Sequence, residues 1–307
     1  MRYVFSRVPA FAFLAMLAVP LLLAGCGSSG GGGQAPTTLT LYASGDVNVK
    51  NLWQNTLIPE FKKTHQNIDV RLVFSEHGTN DTATLARLSA AVQSHKDPGM
   101  DLIDSGIVSQ AAQAKLLAPL SSKEIPLINR VDETLIKQVN SLAIPYRASS
   151  VVLAYNSQYV SDPPKTLKDL LAWIKAHPGK FTYNTPDTGG SGNAFVQAVL
   201  MSHIDENARK NFISGADYNP ALEGLWKPGL EDLKSLKPAI YRQGFFPNGN
   251  TAVLQLLANS SIWLAPVWSD QALSYLANHQ LPDTVKLIQL DPPFMGGPAF
   301  IGIPRNA

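Results

Sequence analysis

One cysteine, Cys26, is present in the 307 residues of this chain. A chain with one thiol cannot close a disulfide on itself, so its fold has to be held by apolar burial alone. Hydrophobic residues make up 45% of the sequence, enough for ordinary globular cores. They are spread over a length that suits two lobes better than one core.

Cys26 also closes a patterned N-terminus. Arg2 and Arg7 precede an uncharged apolar stretch from Phe11 to Ala24, and small residues, Ala24 and Gly25, stand before the thiol. These are the parts of a secretory signal over residues 1–25. The apolar core is shorter than the roughly 20 residues a membrane span requires. Leu23-Ala24-Gly25-Cys26 resembles the lipobox of a bacterial lipoprotein. That likeness implies lipid on Cys26 and a place at the periplasmic or extracellular face of a membrane. Residues 26–36, rich in glycine and serine, read as a flexible tether. Losing Arg2 and Arg7 with the leader brings Lys plus Arg from 25 to 23, level with the 23 Asp plus Glu. With no basic cluster beyond Lys62-Lys63, nucleic acid is not an expected partner.

From residue 37 the pattern alternates between strand and helix signals, the mark of an α/β architecture. Thr38–Ala43 and Val70–Phe74 read as strands, and Asp101–Ile103 as a short buried one. Asn51–His65 reads as a helix that Pro59 kinks or restarts. Thr82–His95 places Leu85, Leu88 and Val92 on one helical face, and Ala111–Leu117 reads as a short helix. Leu142–Tyr146 and Val151–Tyr155 are extended, with Arg147–Ser150 between them. Thr166 and Asp169 fit an acidic capping box ahead of an apolar stripe of Leu167, Leu170, Leu171 and Ile174, stopped by His177-Pro178-Gly179. Lys180–Tyr183 reads as a strand, and Gly189–Asn193 as a glycine-rich loop opening a helix. Ile262–Ala265, Val285–Leu290 and Ala299–Ile303 read as later strands.

Several of these segments, in this order, resemble the extracellular solute-binding proteins of bacterial ABC importers. They are Leu39–Ala43 with a helix ending near Glu60–Lys63, Asp101–Asp104, Ala143–Tyr146 followed by Leu153–Asn156 and Pro163–Leu167, and Phe181–Pro186 leading into Gly190–Phe195. The resemblance covers about residues 37–307. It implies a type II-like two-lobe periplasmic-binding-protein fold with the ligand in a cleft between the lobes. By analogy, lobe 1 comprises 37–147 plus 268–297, and lobe 2 comprises 148–267 plus 298–307. Relatives continue with further helices after a segment like Phe300–Pro304, whereas this chain stops at Ala307. The second lobe is therefore expected to be truncated at its C-terminus.

In such folds the ligand meets loops at the carboxyl ends of strands and the N-termini of helices. The expected contacts in the first lobe are Ser44 and Asp46 after the first strand, Glu76, Gly78 and Thr79 after the second, and Asp104 and Ser105 after the third. Ordinary turn and cap chemistry uses the same residues. In the second lobe they are Thr188, Gly190, Ser191, Gly192 and Asn193, where glycines let backbone amides approach a ligand. Tyr146, Tyr155 and Trp268 flank the proposed crossings, and Asp270 is either a ligand contact or a helix cap. No Gly-Lys-Ser/Thr follows the glycine-rich loop, which argues against nucleotide.

No metal or cofactor is expected. The six histidines (65, 77, 95, 177, 203, 279) lack ligand spacing, and the adjacent tyrosines of ferric-iron binders in this family are missing. The G-x-S-x-G string at Gly27–Gly31 falls in the glycine-rich tether, not between a strand and a helix, so it is no nucleophile elbow. The resemblance implies a substrate-binding lipoprotein that delivers a small polar solute to ABC permease subunits and acts as a monomer. Asp46, Glu76, Asp104 and Asp270 lean towards a cationic organic solute, such as a polyamine or thiamine-like molecule, or a sugar-like one. An extracytoplasmic enzyme on a related fold and a ligand-presenting sensory lipoprotein remain as alternatives.

Overall fold

The computed structural model describes residues 37–212 and 219–307. The leader, Cys26 and the tether lie outside the described residues. In chain order the elements are β1 (Thr37–Gly45), α1 (Val47–Leu52), α2 (Ile58–Thr64), β2 (Ile68–Glu76), α3 (Asp81–Gln93), β3 (Leu102–Asp104), α4 (Val108–Gln113), α5 (Glu133–Lys137) and β4 (Ile144–Asn156). Then follow α6 (Leu167–Ala176), α7 (Gly190–Ser202), α8 (Glu206–Arg209), α9 (Lys227–Leu236), α10 (Gly249–Ala258), β5 (Leu264–Trp268), α11 (Ser269–Ala277), β6 (Val285–Ile288) and β7 (Gly296–Gly302).

The strands run in the order β2-β1-β3-β7-β4-β5, with β6 also paired to β4. β1 is parallel to both β2 and β3, and Leu41, Tyr42 and Ala43 at its centre are buried. Such strands carry apolar residues on both faces. β7 is antiparallel to β3 on one side and to β4 on the other.

β4 is the element that organises the chain. Two extended pieces were expected from the sequence, but Ile144–Asn156 is one strand. Its first half pairs with β7, and its second half pairs with β5 and β6. The period-two alternation of a strand then divides the second half between two cores. Val151 and Leu153 face a core with Leu170, Ile174, Phe181, Phe195, Leu236 and Ile240. Val152 and Ala154 face another with Val253, Leu254, Leu257, Val267, Ala272 and Tyr275. A third core lies against the first sheet sector, with Leu88, Met100, Ile103, Val108, Leu117 and Phe300.

These cores revise the expected allotment of the C-terminal third. Residues 268–297 were assigned to the first lobe, but Ala272, Tyr275 and Val285 pack with β4 and β5. Residues 298–307 were assigned to the second, but Phe300 packs in the first-sector core and Leu117 bridges to Pro304. The reason is topological: β7 returns the chain to the first sector between β3 and β4.

Local chemistry explains the helix bounds. Thr166 caps α6, its hydroxyl oxygen accepting from the Asp169 amide at 3.1 Å while the hydroxyl donates to the Asp169 carboxylate at 2.7 Å. Leu170 and Ile174 are buried beneath it. The first helix starts earlier than expected, at Val47, and a π-helical turn over Trp53–Leu57 joins α1 to α2 just before Pro59. Proline offers no amide to a helical hydrogen bond, and a wider turn accommodates that loss. The helix expected at Ala111–Leu117 sits earlier, at Val108–Gln113. Lys180–Tyr183 is not a strand. Phe181 makes only isolated bridges to Ile240 and Leu264.

Candidate functional site

The carboxyl ends of the three parallel strands lie on one side of a cavity of about 470 Å³. β1 contributes Ser44, Gly45 and Asp46, β2 is followed by His77 and Gly78, and β3 by Ser105 and Gly106. Opposite them are Gly189 and Gly190 at the start of α7, Asn250 on α10, and Trp268 and Asp270 at the start of α11. Arg147 and Ser149 of β4 and residues 295–300 complete the lining.

Three carboxylates in this lining are held by internal donors. Asp81 accepts from the hydroxyls of Tyr42 (2.8 Å), Ser44 (2.9 Å) and Ser105 (2.6 Å). Asp46 meets His77 Nδ1 at 2.7 Å through one oxygen and accepts from Asn250 Nδ2 at 2.7 Å through the other. Asp270 accepts from Ser149 (2.5 Å) and from Asn48 (2.9 Å). The Asn250 carbonyl then accepts from the Ser191 hydroxyl at 2.7 Å, and Asn184 takes further bonds from Ser191 and from the Gly192 amide. This chain of bonds runs from the loop after β1 to the first turn of α7.

Two of these contacts depend on backbone conformation. His77 has φ 55°, in the left-handed region that histidine adopts more readily than most residues. Gly249 has φ 78°, and a side chain there would begin 2.5 Å from His77 Nε2. His77 is therefore packed closely against the start of α10.

A second cluster lies beside the cavity. Asp104 is fully buried and accepts from Trp53 Nε1 at 2.6 Å and from the Tyr146 hydroxyl. Arg147 Nε donates to the Tyr146 oxygen at 2.9 Å. Burial raises the pKa of Asp104 against the opposing pull of those two donors. Burial and the nearby Asp104 charge raise that of Tyr146, which stays a neutral donor. Burial works against the charge on Arg147, but Tyr146 and Asp104 outweigh it, and its pKa is raised.

His77 is the group in the cavity suited to titration near neutrality. Its hydrogen bond to Asp46 raises its pKa above 6.5, burial works the other way, and the charges of Asp46 and Glu76 add to the rise. A raised folded value means the protonated form is favoured by folding. That stabilisation is complete below about pH 6.5 and is lost as pH rises through the folded value. The melting temperature is therefore expected to fall between pH 6 and pH 8 more steeply in the native chain than in His77→Asn. Parallel curves would show that the pair contributes nothing.

A family model described as bacterial extracellular solute-binding protein matches residues 56–307. The chain belongs to that family. This solute-binding protein is 26% identical to Protein YnjB of Escherichia coli (strain K12) over 166 residues, which cover 53% of this chain and 42% of that protein. It thus spans less than half the length of this curated relative. Iron-bound HitA from Pseudomonas aeruginosa superposes with TM-score 0.59 at 18% identity, covering 89% of this chain and 76% of that one. The spermidine/putrescine ABC transporter substrate-binding protein PotD from Streptococcus pneumoniae superposes with TM-score 0.60 at 14% identity, over 88% and 73% of the two chains. At such identities the likeness shows the fold, the α/β fold of periplasmic binding proteins. The family is one of binding proteins, not enzymes. Among the described residues no helix is long and apolar enough to cross a membrane.

Of the contacts expected from sequence, the cavity of this solute-binding protein is lined by Ser44, Asp46, Gly78, Ser105, Gly190, Trp268 and Asp270. The others lie outside the lining. Glu76 and Thr79 are exposed beside it. Asp104 and Tyr146 bond each other behind Arg147. Ser191 and Gly192 are buried against Asn184, and Asn193 accepts from Gln197 one turn along α7. Thr188 accepts from the Gly249 amide at 3.0 Å. Tyr155 packs at the far end of β4 opposite Leu264 and Lys286.

Sequence reasoning placed His77 only within the loop after the second strand, and it missed Asp81, Arg147 and Asn250 as site residues. Asp81 had a readable signal, since it opens the helix that follows a parallel strand. Arg147 was hidden by reading its segment as a connection. Nothing local in the sequence marks Asn250, whose role comes from α10 packing across from β1.

Proposed function

We propose that this chain is the substrate-binding lipoprotein of an ABC import system. It captures a small polar solute, of the cationic organic or sugar-like classes, and delivers it to membrane permease subunits. The lipid is on Cys26, and the working location is the outer face of a membrane. The observation that carries this reading is the cavity, with strand carboxyl ends on one side and the starts of α7 and α11 on the other. A loop-lined crevice of this kind is where open α/β sheets take ligands. Acidic side chains outnumber basic ones in the lining, which suits positively charged or hydroxyl-rich solutes.

The two sheet sectors act as lobes, with β4 as the crossing and the segment before β7 as the return. Closing them around the solute is a hinge motion, and the permease reads the closed form. The Asp46–Asn250–Ser191 bonds belong to that closed form.

A thermal-shift screen of the purified full chain against polyamines, thiamine, sugars and organophosphates tests this reading. A specific solute at one hundred times its dissociation constant stabilises the folded form by about 2.7 kcal/mol. The expected result is a concentration-dependent rise in melting temperature for one class. A flat response across the whole panel would remove the receptor reading.

A further inference from the structure

We infer that the solute carries an oxyanion, carboxylate or phosphate in type, that is received by Arg147. This rests on the reading of the cavity as the solute site and narrows its ligand class. The lining carboxylates invite a simpler conclusion, that the solute is purely cationic. Their geometry argues otherwise. Both oxygens of Asp46, Asp81 and Asp270 already accept from side chains of the protein, as described above. These acids fix the loops that shape the cavity.

Arg147 is arranged differently. It lines the cavity, and its side chain is 25% exposed. Among the described residues only Nε donates a hydrogen bond, to the Tyr146 oxygen. One terminal nitrogen is 3.9 Å from Asp104 Oδ1 and the other is 3.9 Å from Asp270 Oδ2. Both distances lie beyond hydrogen-bond reach. The flanking acids thus hold the guanidinium in place without using its terminal N–H groups. A guanidinium is always charged and carries five donors in a planar fork, so most of its donors remain for a planar or tetrahedral oxyanion.

The wall opposite reinforces this. The amides of Gly189 and Gly190, at the start of the thirteen-residue helix α7, have no acceptor among the described residues. A helix start favours negative charge. A side chain at 190 would begin 2.6 Å from the Trp268 ring, so the close approach of ring and backbone requires glycine there. Asp270, two residues beyond Trp268, is the acid that flanks Arg147. Both groups of donors therefore line the same cavity, each beside a residue at the start of α11. The solute that satisfies both them and the acidic remainder of the lining bears a donor-rich or cationic part and an oxyanion.

Calorimetric titration of the full chain with matched pairs tests this. The carboxylate arm is 4-aminobutyrate against butylamine, and the phosphate arm is phosphoethanolamine against ethanolamine. The expected result is that, in at least one arm, the oxyanion member binds roughly tenfold tighter or more, the value of a charge-assisted hydrogen-bonded pair. Arg147→Met should abolish that difference. Arg147→Lys, which keeps the charge but loses the fork, should shrink it. The inference is overturned if the amines match their oxyanion partners, or if folded Arg147→Met and Arg147→Lys keep native affinity. It is also overturned if spermidine or a sugar binds and no oxyanion probe does, an outcome that leaves the receptor reading intact. Failure of every solute in the wider screen removes both. Should neither variant fold, the comparison of pairs on the native chain decides alone.

Discussion

Replacing Gly192 with alanine is expected to destabilise the chain by about 3 kcal/mol or more, at the severe end of overpacking. The new methyl carbon would lie 1.9 Å from the backbone oxygen of Asn184 and 3.0 Å from its side-chain oxygen. Neither neighbour is free to yield. The Asn184 amide group donates to the Thr185 and Gly189 carbonyls, and its oxygen accepts from the Ser191 hydroxyl and the Gly192 amide. Shifting α7 to make room breaks bonds that are fully buried, each leaving a polar group that costs roughly 1–3 kcal/mol. Urea denaturation measures the loss. Gly224→Ala is the control, because nothing lies within 4 Å of the added carbon. Its effect should stay within about 0.5 kcal/mol. Equal midpoints for the two variants would mean that α7 does not start where this geometry has it.

The second large effect is at Asn250. Asn250→Asp keeps the shape but puts a second carboxylate where an amide now donates to Asp46 at 2.7 Å. Two carboxylates that close cannot both ionise cheaply, so the pair holds a proton and its upper pKa rises. A raised folded value makes the destabilisation greatest above it and relieves it on acidification. Asn250→Ala removes the same bond without adding charge, and is expected to cost about 3 kcal/mol through the buried partners left unpaired. At pH 7.5 the aspartate variant should be less stable than the alanine variant, with the order narrowing or reversing by pH 5. Superimposable pH profiles for the two would show that Asp46 does not face position 250. The same substitutions weaken the bonds assigned to the closed form, so both should lower solute affinity as well as stability.

Much of this architecture was legible in advance, for physical reasons. β1, β2 and α3 carry clear periodicities, and Leu85, Leu88 and Val92 do face one core. The Thr166 cap and the His177-Pro178-Gly179 stop are local chemistry, and local chemistry can be read from sequence. What could not be read was long-range. β4 reads as two pieces because its halves face different partners. Phe181 belongs to a strand-like run whose hydrogen bonds go to scattered neighbours. The end of the chain was allotted to the wrong sector because nothing near Phe300 says that β7 inserts beside β3. The cavity follows the same rule. Residues at strand ends were readable by position. The groups that join the two sectors, Asn250 and Arg147, depend on a packing that no short window contains.

The position of β7 also sets an order of events during synthesis. This strand lies between β3 and β4, yet the ribosome makes it after every other strand described here. β4, β5, β6 and the cores on either face of them are complete in sequence once residue 294 has emerged. The first sheet sector, although it opens the chain, has to wait with β3 lacking a neighbour until residues 296–302 appear. The sector made first is thus the later one to close, and a chaperone that shields it would have to hold on until residue 302 has emerged.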